Sequence, residues 1–262
     1  MNHFDELRIR DLAQVLTEFA GNCFEIARTT RGMSEYEHVQ EARTAFLLLR
    51  GHGRALSTLV ALGPTAYPSG WPIARSMFEV GVRTAWRMDV DDPFEAEGRW
   101  ATWLQRFVAH ELKRAESLEA EGLPEMAQRA RRRADQSARF HAAFVDLLNA
   151  KGIVPAAQEP SMKNVLKALG QPPHRYQLYA DASEQLHGSF VALEAHSRGL
   201  GTERKLGEFA TWMDWASPLT TGIRGIQALS YVFSDRVRSE RMQTVVESAE
   251  DAWELALHAE RH

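Results

Sequence analysis

Two short stretches carry the residue types that do chemistry. In RSMFE, Arg75 and Glu79 stand four residues apart on a segment that also holds Ile73, Met77, Phe78 and Val80. A guanidinium and a carboxylate at that spacing share one side of a helix and can pair. If that helix is central, both charges must be hydrogen-bonded to survive the loss of water. In LYADASEQLHGS, Tyr179, Ser183 and His187 follow one another at steps of four, with Glu184 beside them and Ser189 just beyond. Each step is about one helical turn, so the three form a stripe. Gly188 offers that helix a place to stop, which puts His187 near a terminus where an imidazole can exchange protons near neutral pH. The alternative is a histidine that only closes a hydrogen bond inside a bundle. A third group, RARRRADQSAR, sets Arg129, Arg132, Arg133 and Arg139 on much of one helical side. It is either a nucleic-acid-binding face or a solvated face whose charge is answered by the preceding acidic stretch ESLEAEG.

The R-S-x-F-E block at 75–79 and the Y-x-x-x-S-x-x-x-H-G-S block at 179–189 together resemble an uncharacterised bacterial all-helical family, domain of unknown function 5677. The resemblance covers about residues 40–235 and implies that Arg75, Glu79, Tyr179, Ser183 and His187 form one polar pattern. The second block is also similar to the helical HEPN group (higher eukaryotes and prokaryotes nucleotide-binding), in which an arginine ahead of a histidine serves metal-independent RNA cleavage. That similarity implies a HEPN-like arrangement, RNA or a nucleotide as partner, and a ribonuclease or toxin of phage defence, with His187, Arg75 and Glu79 as catalytic residues. The chain departs from the HEPN pattern where the arginine would stand, because Ala180, Asp181 and Ala182 occupy those positions. The charge that stabilises a phosphorane-like state would then come from Arg75 on a separate helix.

Three classes of function follow. The first is a soluble helical binding or regulatory protein whose polar cluster lines a small pocket, with Tyr179, Ser183, Glu184 and Ser189 as ligand-binding residues. The second is the ribonuclease, which needs His187 and Arg75 to converge on an open cleft; a dimer edge beside the 129–133 arginines would be one way to complete it. The third is a di-iron oxidase, since Glu184/His187 and Glu35/His38 both fit the E-x-x-H spacing, although such sites need two further inward glutamates. Glu35 and Glu37 are already accounted for by a helix's first turn, where acids are favoured, and no metal or cofactor is expected. The G-H-G at 51–53 has no preceding strand and is not a phosphate-cradling loop.

The elements that must position these residues are helices. Apolar residues recur with the helical period almost throughout: Phe4, Leu7, Leu12, Val15, Leu16, Phe19, Cys23 and Ile26 line one side of a helix over about 3–28. Ser34 with Glu37 makes a capping-box pattern opening a helix to about Leu62. GPTAYPSG is turn chemistry ahead of a helix over 71–88, and Asp92-Pro93 starts another that GLP at 122–124 ends. Further helices are expected to about Ala150, over 161–169, 174–199, 205–237 with a break near Pro218, and 239–260. The reading is all-α, a single bundle of about eight to ten helices in one domain, 1–262, with a sub-boundary in the proline-rich stretch 152–173.

The chain of 262 residues is 44% hydrophobic and 25% charged with net charge −4, an ordinary balance for a globular protein that argues against an all-over basic nucleic-acid binder. One cysteine rules out an internal disulfide, and no apolar stretch approaches the ~18 residues of a membrane helix. With no secretory pattern at MNHFDELRIRDL, a cytoplasmic protein is expected.

Overall fold

A computed structural model describes residues 3–30, 35–187, 197–198, 205–207 and 209–258. Among them are nine α-helices: α1 (His3–Thr29), α2 (Glu37–Ala61), α3 (Gly70–Met88), α4 (Pro93–Ala120), α5 (Pro124–Asn149), α6 (Met162–Ala168), α7 (His174–Leu186), α8 (Ala216–Val237) and α9 (Glu240–His258). The chain is all-α. Short 3-10 helices over Pro64–Ser69 and Trp212–Trp215 lead into α3 and α8. No described helix is long and apolar enough to cross a membrane.

Two expectations need correction. The helix from 174 ends at Leu186 instead of 199, and Ser197–Arg198 pairs antiparallel with Lys205–Leu206 in a two-residue ladder. The helix expected from 205 begins only after Thr211, whose hydroxyl and backbone N–H both donate to Asp214. Gly188, directly after the C-cap His187, favours a stop there over a continued helix, and Gly207 does the same beside Leu206.

Contacts gather the chain into two compact units, one of Met1–Glu35, Val39–Trp86 and Met162–His262, the other of Tyr36–His38 and Arg87–Ser161. One crossing, between Ser161 and Met162, falls in the proline-rich stretch. Another, between Trp86 and Arg87, falls inside α3, where no composition change marks it.

In the first unit α8 is the central element, buried on nearly every side from Pro218 to Ser234. The apolar stripe of α1 packs against α8 and α9, and Phe46 of α2 meets Phe233 edge-on with ring centroids 5.3 Å apart. Between α3 and α8 the packing reaches backbone. A Cβ built at Gly81 would fall on the Gly225 carbonyl, and one at Gly225 would come within 2.6 Å of Phe78 Cα. Only glycine permits that approach. Cys23 is fully buried on α1, with Sγ 3.2 Å from Ser230 Oγ on α8.

The second unit is built on the α4–α5 hairpin. Asp92 caps α4 by accepting from the Phe94 N–H at 2.9 Å, with proline at the next position. The pairs Arg131/Glu119, Arg133/Glu111 and Trp100/Phe144 match rising numbers on α5 to falling ones on α4, so the helices run antiparallel. Ala115, Ala127, Ala130 and Ala134 fill the buried seam between them. The segment that follows folds back along α4: Thr102 Oγ1 donates to the Ala156 carbonyl at 3.0 Å, and buried Glu159 accepts from Arg87 at 2.6 Å and Arg106 at 3.1 Å.

Gly81→Ala should lower the free energy of urea unfolding by about 3 kcal/mol or more, because rigid backbone must move. Gly21→Ala, at a helical position of α1 with nothing within 4 Å of a new Cβ, should instead raise it by up to about 1 kcal/mol. Burial raises the Cys23 thiol from its ordinary 9.0 to about 12, against a small opposing pull from Ser230. Native protein should therefore resist thiol reagents at pH 8.5 and react with one equivalent once unfolded. Because the native value is the higher one, the stability this group contributes is complete below pH 9 and is lost as pH rises toward 12.

Candidate functional site at the seam of helices α3 and α7

Arg75 and Tyr179 meet. The guanidinium Nη2 donates to the Tyr179 hydroxyl at 3.3 Å, and its carbon lies 5.2 Å from the centroid of the same ring. Phe78, nearly a turn along α3, stacks against Tyr179 with ring centroids 6.4 Å apart, and the Tyr179 ring is in turn 6.1 Å from that of Tyr176. The reason lies in the α3–α8 approach: Gly225 accepts the backbone of Met77 and Phe78, and α7 packs on α8 as well, so both helices lie on one support. Arg75 and Tyr179 are each half-buried, which leaves the arginine's other donors within reach of solvent.

The Arg75–Glu79 pair does not form. Glu79 accepts from Arg83 Nε at 3.0 Å instead, with side-chain exposures of 14% for the arginine and 30% for the glutamate. Both pairings have the same spacing, but a glutamate N-terminal to its cationic partner suits helix geometry and dipole better than the reverse order. Arg75 consequently makes no ion pair with a described residue; its hydrogen-bond acceptor, a neutral phenol, leaves the positive charge uncompensated.

On α7, Ser183 is half-buried, and Glu184 and His187 are exposed. His187 closes the helix: its backbone N–H donates to the Ser183 carbonyl at 3.2 Å. It lies eight residues beyond Tyr179, about 12 Å along the axis. Ser189 lies outside the described residues. The structure thus joins Arg75 with Tyr179, gives Glu79 to Arg83, and leaves Ser183, Glu184 and His187 further along α7.

The arginine cluster divides. Arg133 Nε donates to Glu111 at 2.8 Å, so one of its members ties α5 to α4, as does Arg131, outside the cluster, through Glu119. Burial alone would raise the Glu111 carboxyl, but Arg133 and Arg114 outweigh it and hold the group below the usual carboxylate range. Arg129 and Arg132 are exposed.

His38, from the second E-x-x-H match, is spent elsewhere. Both its Nδ1, at 2.7 Å, and its backbone N–H, at 3.1 Å, reach Glu97 Oε1, and the two side chains are almost fully buried. Burial, with the Glu97 charge nearby, raises the carboxyl of neighbouring Glu37. Among the described residues no three His, Cys, Asp or Glu side chains gather into a metal-sized group.

One contact escaped the sequence reading. His52 Nε2 lies 3.2 Å from Ser76 Oγ, joining α2 to the RSMFE segment, and burial lowers the pKa of the imidazole so that it stays neutral at pH 7. Ser76 sits beside Arg75 in the motif, which was a signal; nothing in the spacing linked it to a histidine on another helix. Two shallow grooves, of about 380 Å³ between α1 and α2 and about 140 Å³ between α1 and α9, include no residue of the α3–α7 seam.

The chain matches no protein-family model, no curated protein and no solved structure.

Tyr179→Phe keeps the ring contacts and removes only one hydrogen bond, and should cost under about 1 kcal/mol of stability. Tyr179→Ala removes the surface on which Arg75 and Phe78 rest and should cost about 2 kcal/mol or more in the same unfolding measurement.

Proposed function

We propose that this protein is a helical binding or regulatory module whose α3–α7 seam receives an anionic partner, a nucleotide or RNA. The observation that carries the reading is Arg75: a half-buried guanidinium laid over Tyr179, hydrogen-bonded to a neutral hydroxyl at 3.3 Å and without a carboxylate among the described residues. An aromatic ring beside an uncompensated guanidinium suits a ligand that combines a phosphate with a flat base. Ser183 and Glu184 extend the polar stripe along α7, and the exposed pair Arg129 and Arg132 offers a separate phosphate-contacting surface.

A second reading rests on His187, an exposed imidazole at the C-terminal end of the same helix. Placed beside RNA it would act as general acid and base in metal-independent cleavage, without Arg75, which contacts Tyr179 about 12 Å back along α7, or Glu79, which is paired with Arg83.

Fluorescence anisotropy with a labelled single-stranded RNA and with ATP tests the first reading. Binding by the parent and a loss of about tenfold or more in Arg75→Gln supports it, as expected when a charge-assisted contact of about 1.5–3 kcal/mol is removed. No binding of either probe, or equal binding by the variant, overturns it. The same RNA incubated in EDTA tests the second: cleavage by the parent that disappears in a folded His187→Ala variant would replace binding with catalysis.

A further inference from the structure

The α4–α5 hairpin carries an apolar face beyond the one that joins its two helices. The seam between them is filled by small residues, Ala115 on α4 and Ala127, Ala130 and Ala134 on α5. A second stripe runs along another side of α5, where Phe140, Ala143, Phe144 and Leu147 follow the i, i+3, i+4, i+7 spacing of a helix that docks on a neighbour. Phe140 is 47% exposed and Leu147 67%; Ala143 is exposed and Phe144 half-buried.

Aromatic rings extend this face onto α4. Phe140 and Phe144 stack with centroids 5.9 Å apart, and Trp103 and Phe107 of α4, both half-buried, stack at 6.2 Å. Trp100 joins the two pairs: it stands edge-on to Phe140 and Phe144, at 6.0 and 5.3 Å, and lies 6.3 Å from Trp103. Rings that already rest on one another are held in place, so covering them costs little further side-chain freedom. A contiguous exposed apolar patch marks an interaction site.

The flank of the stripe decides between partners. Arg139 and Asp146 are both exposed, stand two helical turns apart on one side of α5, and make no ion pair with a described residue. One charge of each sign leaves the flank neutral, which favours a partner carrying the same two charges in the opposite order over a strongly acidic or basic one. A second copy of α5 running antiparallel is such a partner. Arg139 and Asp146 lie equally far from the midpoint between Ala142 and Ala143. A twofold axis through that midpoint therefore sets Arg139 of each copy across from Asp146 of the other. Ala142 and Ala143 are exposed and small, so two helices can approach closely there.

We propose that this face is the interface of a homodimer, in which the α4–α5 hairpins of two copies pair antiparallel about Ala142 and Ala143 as a four-helix arrangement. It lies on the second unit and does not depend on what binds at the Tyr179 seam.

Sedimentation equilibrium of the full chain over about 1 to 200 µM should show a reversible monomer–dimer equilibrium. Leu147→Asp sets carboxylates against the partner's apolar stripe; it should keep the parent's circular dichroism spectrum and sediment as a monomer. Arg139→Asp and Asp146→Arg each bring like charges face to face at two symmetric places, and each should weaken the dimer about tenfold or more. Combined, they pair opposite charges again and should recover the parent's affinity within about threefold. Should Leu147→Asp unfold, the charge series, all at exposed positions, decides alone. A monomer at every concentration overturns the proposal and leaves the face to a different protein. So does a dimer that a folded Leu147→Asp leaves intact, one indifferent to the single reversals, or one that the double reversal does not rescue.

Discussion

The contact on which the first unit depends is the approach of α3 to α8 at Gly81 and Gly225, where main chain rests on main chain. Ordinary helix pairs are held 8–10 Å apart by their side chains. Here there is none at the crossing, so the helices are nearer and their relative rotation is constrained by backbone atoms. That constraint aims Arg75 and Phe78 at one side of α8, and α7, packed on α8 too, brings Tyr179 to them. Met77, whose sulfur lies 3.1 Å from where a Cβ of Gly222 would stand, fills the remaining space one turn away. Widening this crossing would move the polar seam along with the core.

The arginines divide by what answers them. Arg87 and Arg133 each meet a buried carboxylate, Glu159 and Glu111, and there the ion pair is architecture, tying segments of the second unit together. Arg75 and Arg175, both on the first unit, meet a phenol and no acceptor respectively. Two half-buried arginines are thus left without a carboxylate partner among the described residues, and the proposed anion-binding role of the α3–α7 seam rests on the first of them.

Much of the fold was legible because helical amphipathicity is a local property. The α1 stripe from Leu12 to Ile26, the cap at Asp92 and the proline after it, and the breaks at 63–70 and 122–124 appear where the period and the turn residues put them, while Leu7, expected on that stripe, is exposed. The helical expectation fails after Leu186 and at Lys205–Leu206, since apolar spacing says nothing about whether the backbone continues past a glycine. The site was half legible. Tyr179 and Arg75 stood out by type and spacing and do meet, but Glu79 turned to Arg83, a choice between two equally spaced partners that the direction of the helix decides.

The amino-acid sequence by itself determined most of the helices, their capped ends and much of the stripe each one presents, because those follow from interactions between residues within a few positions of one another. Only the tertiary structure decided which charges are answered. Whether Arg175 Nε finds an acceptor, whether His38 is open or sealed against Glu97, and whether His52 reaches Ser76 all depend on which helices pack together. The electrostatic state of each group is set by burial and by neighbours far away along the chain, and neither quantity has a local signature.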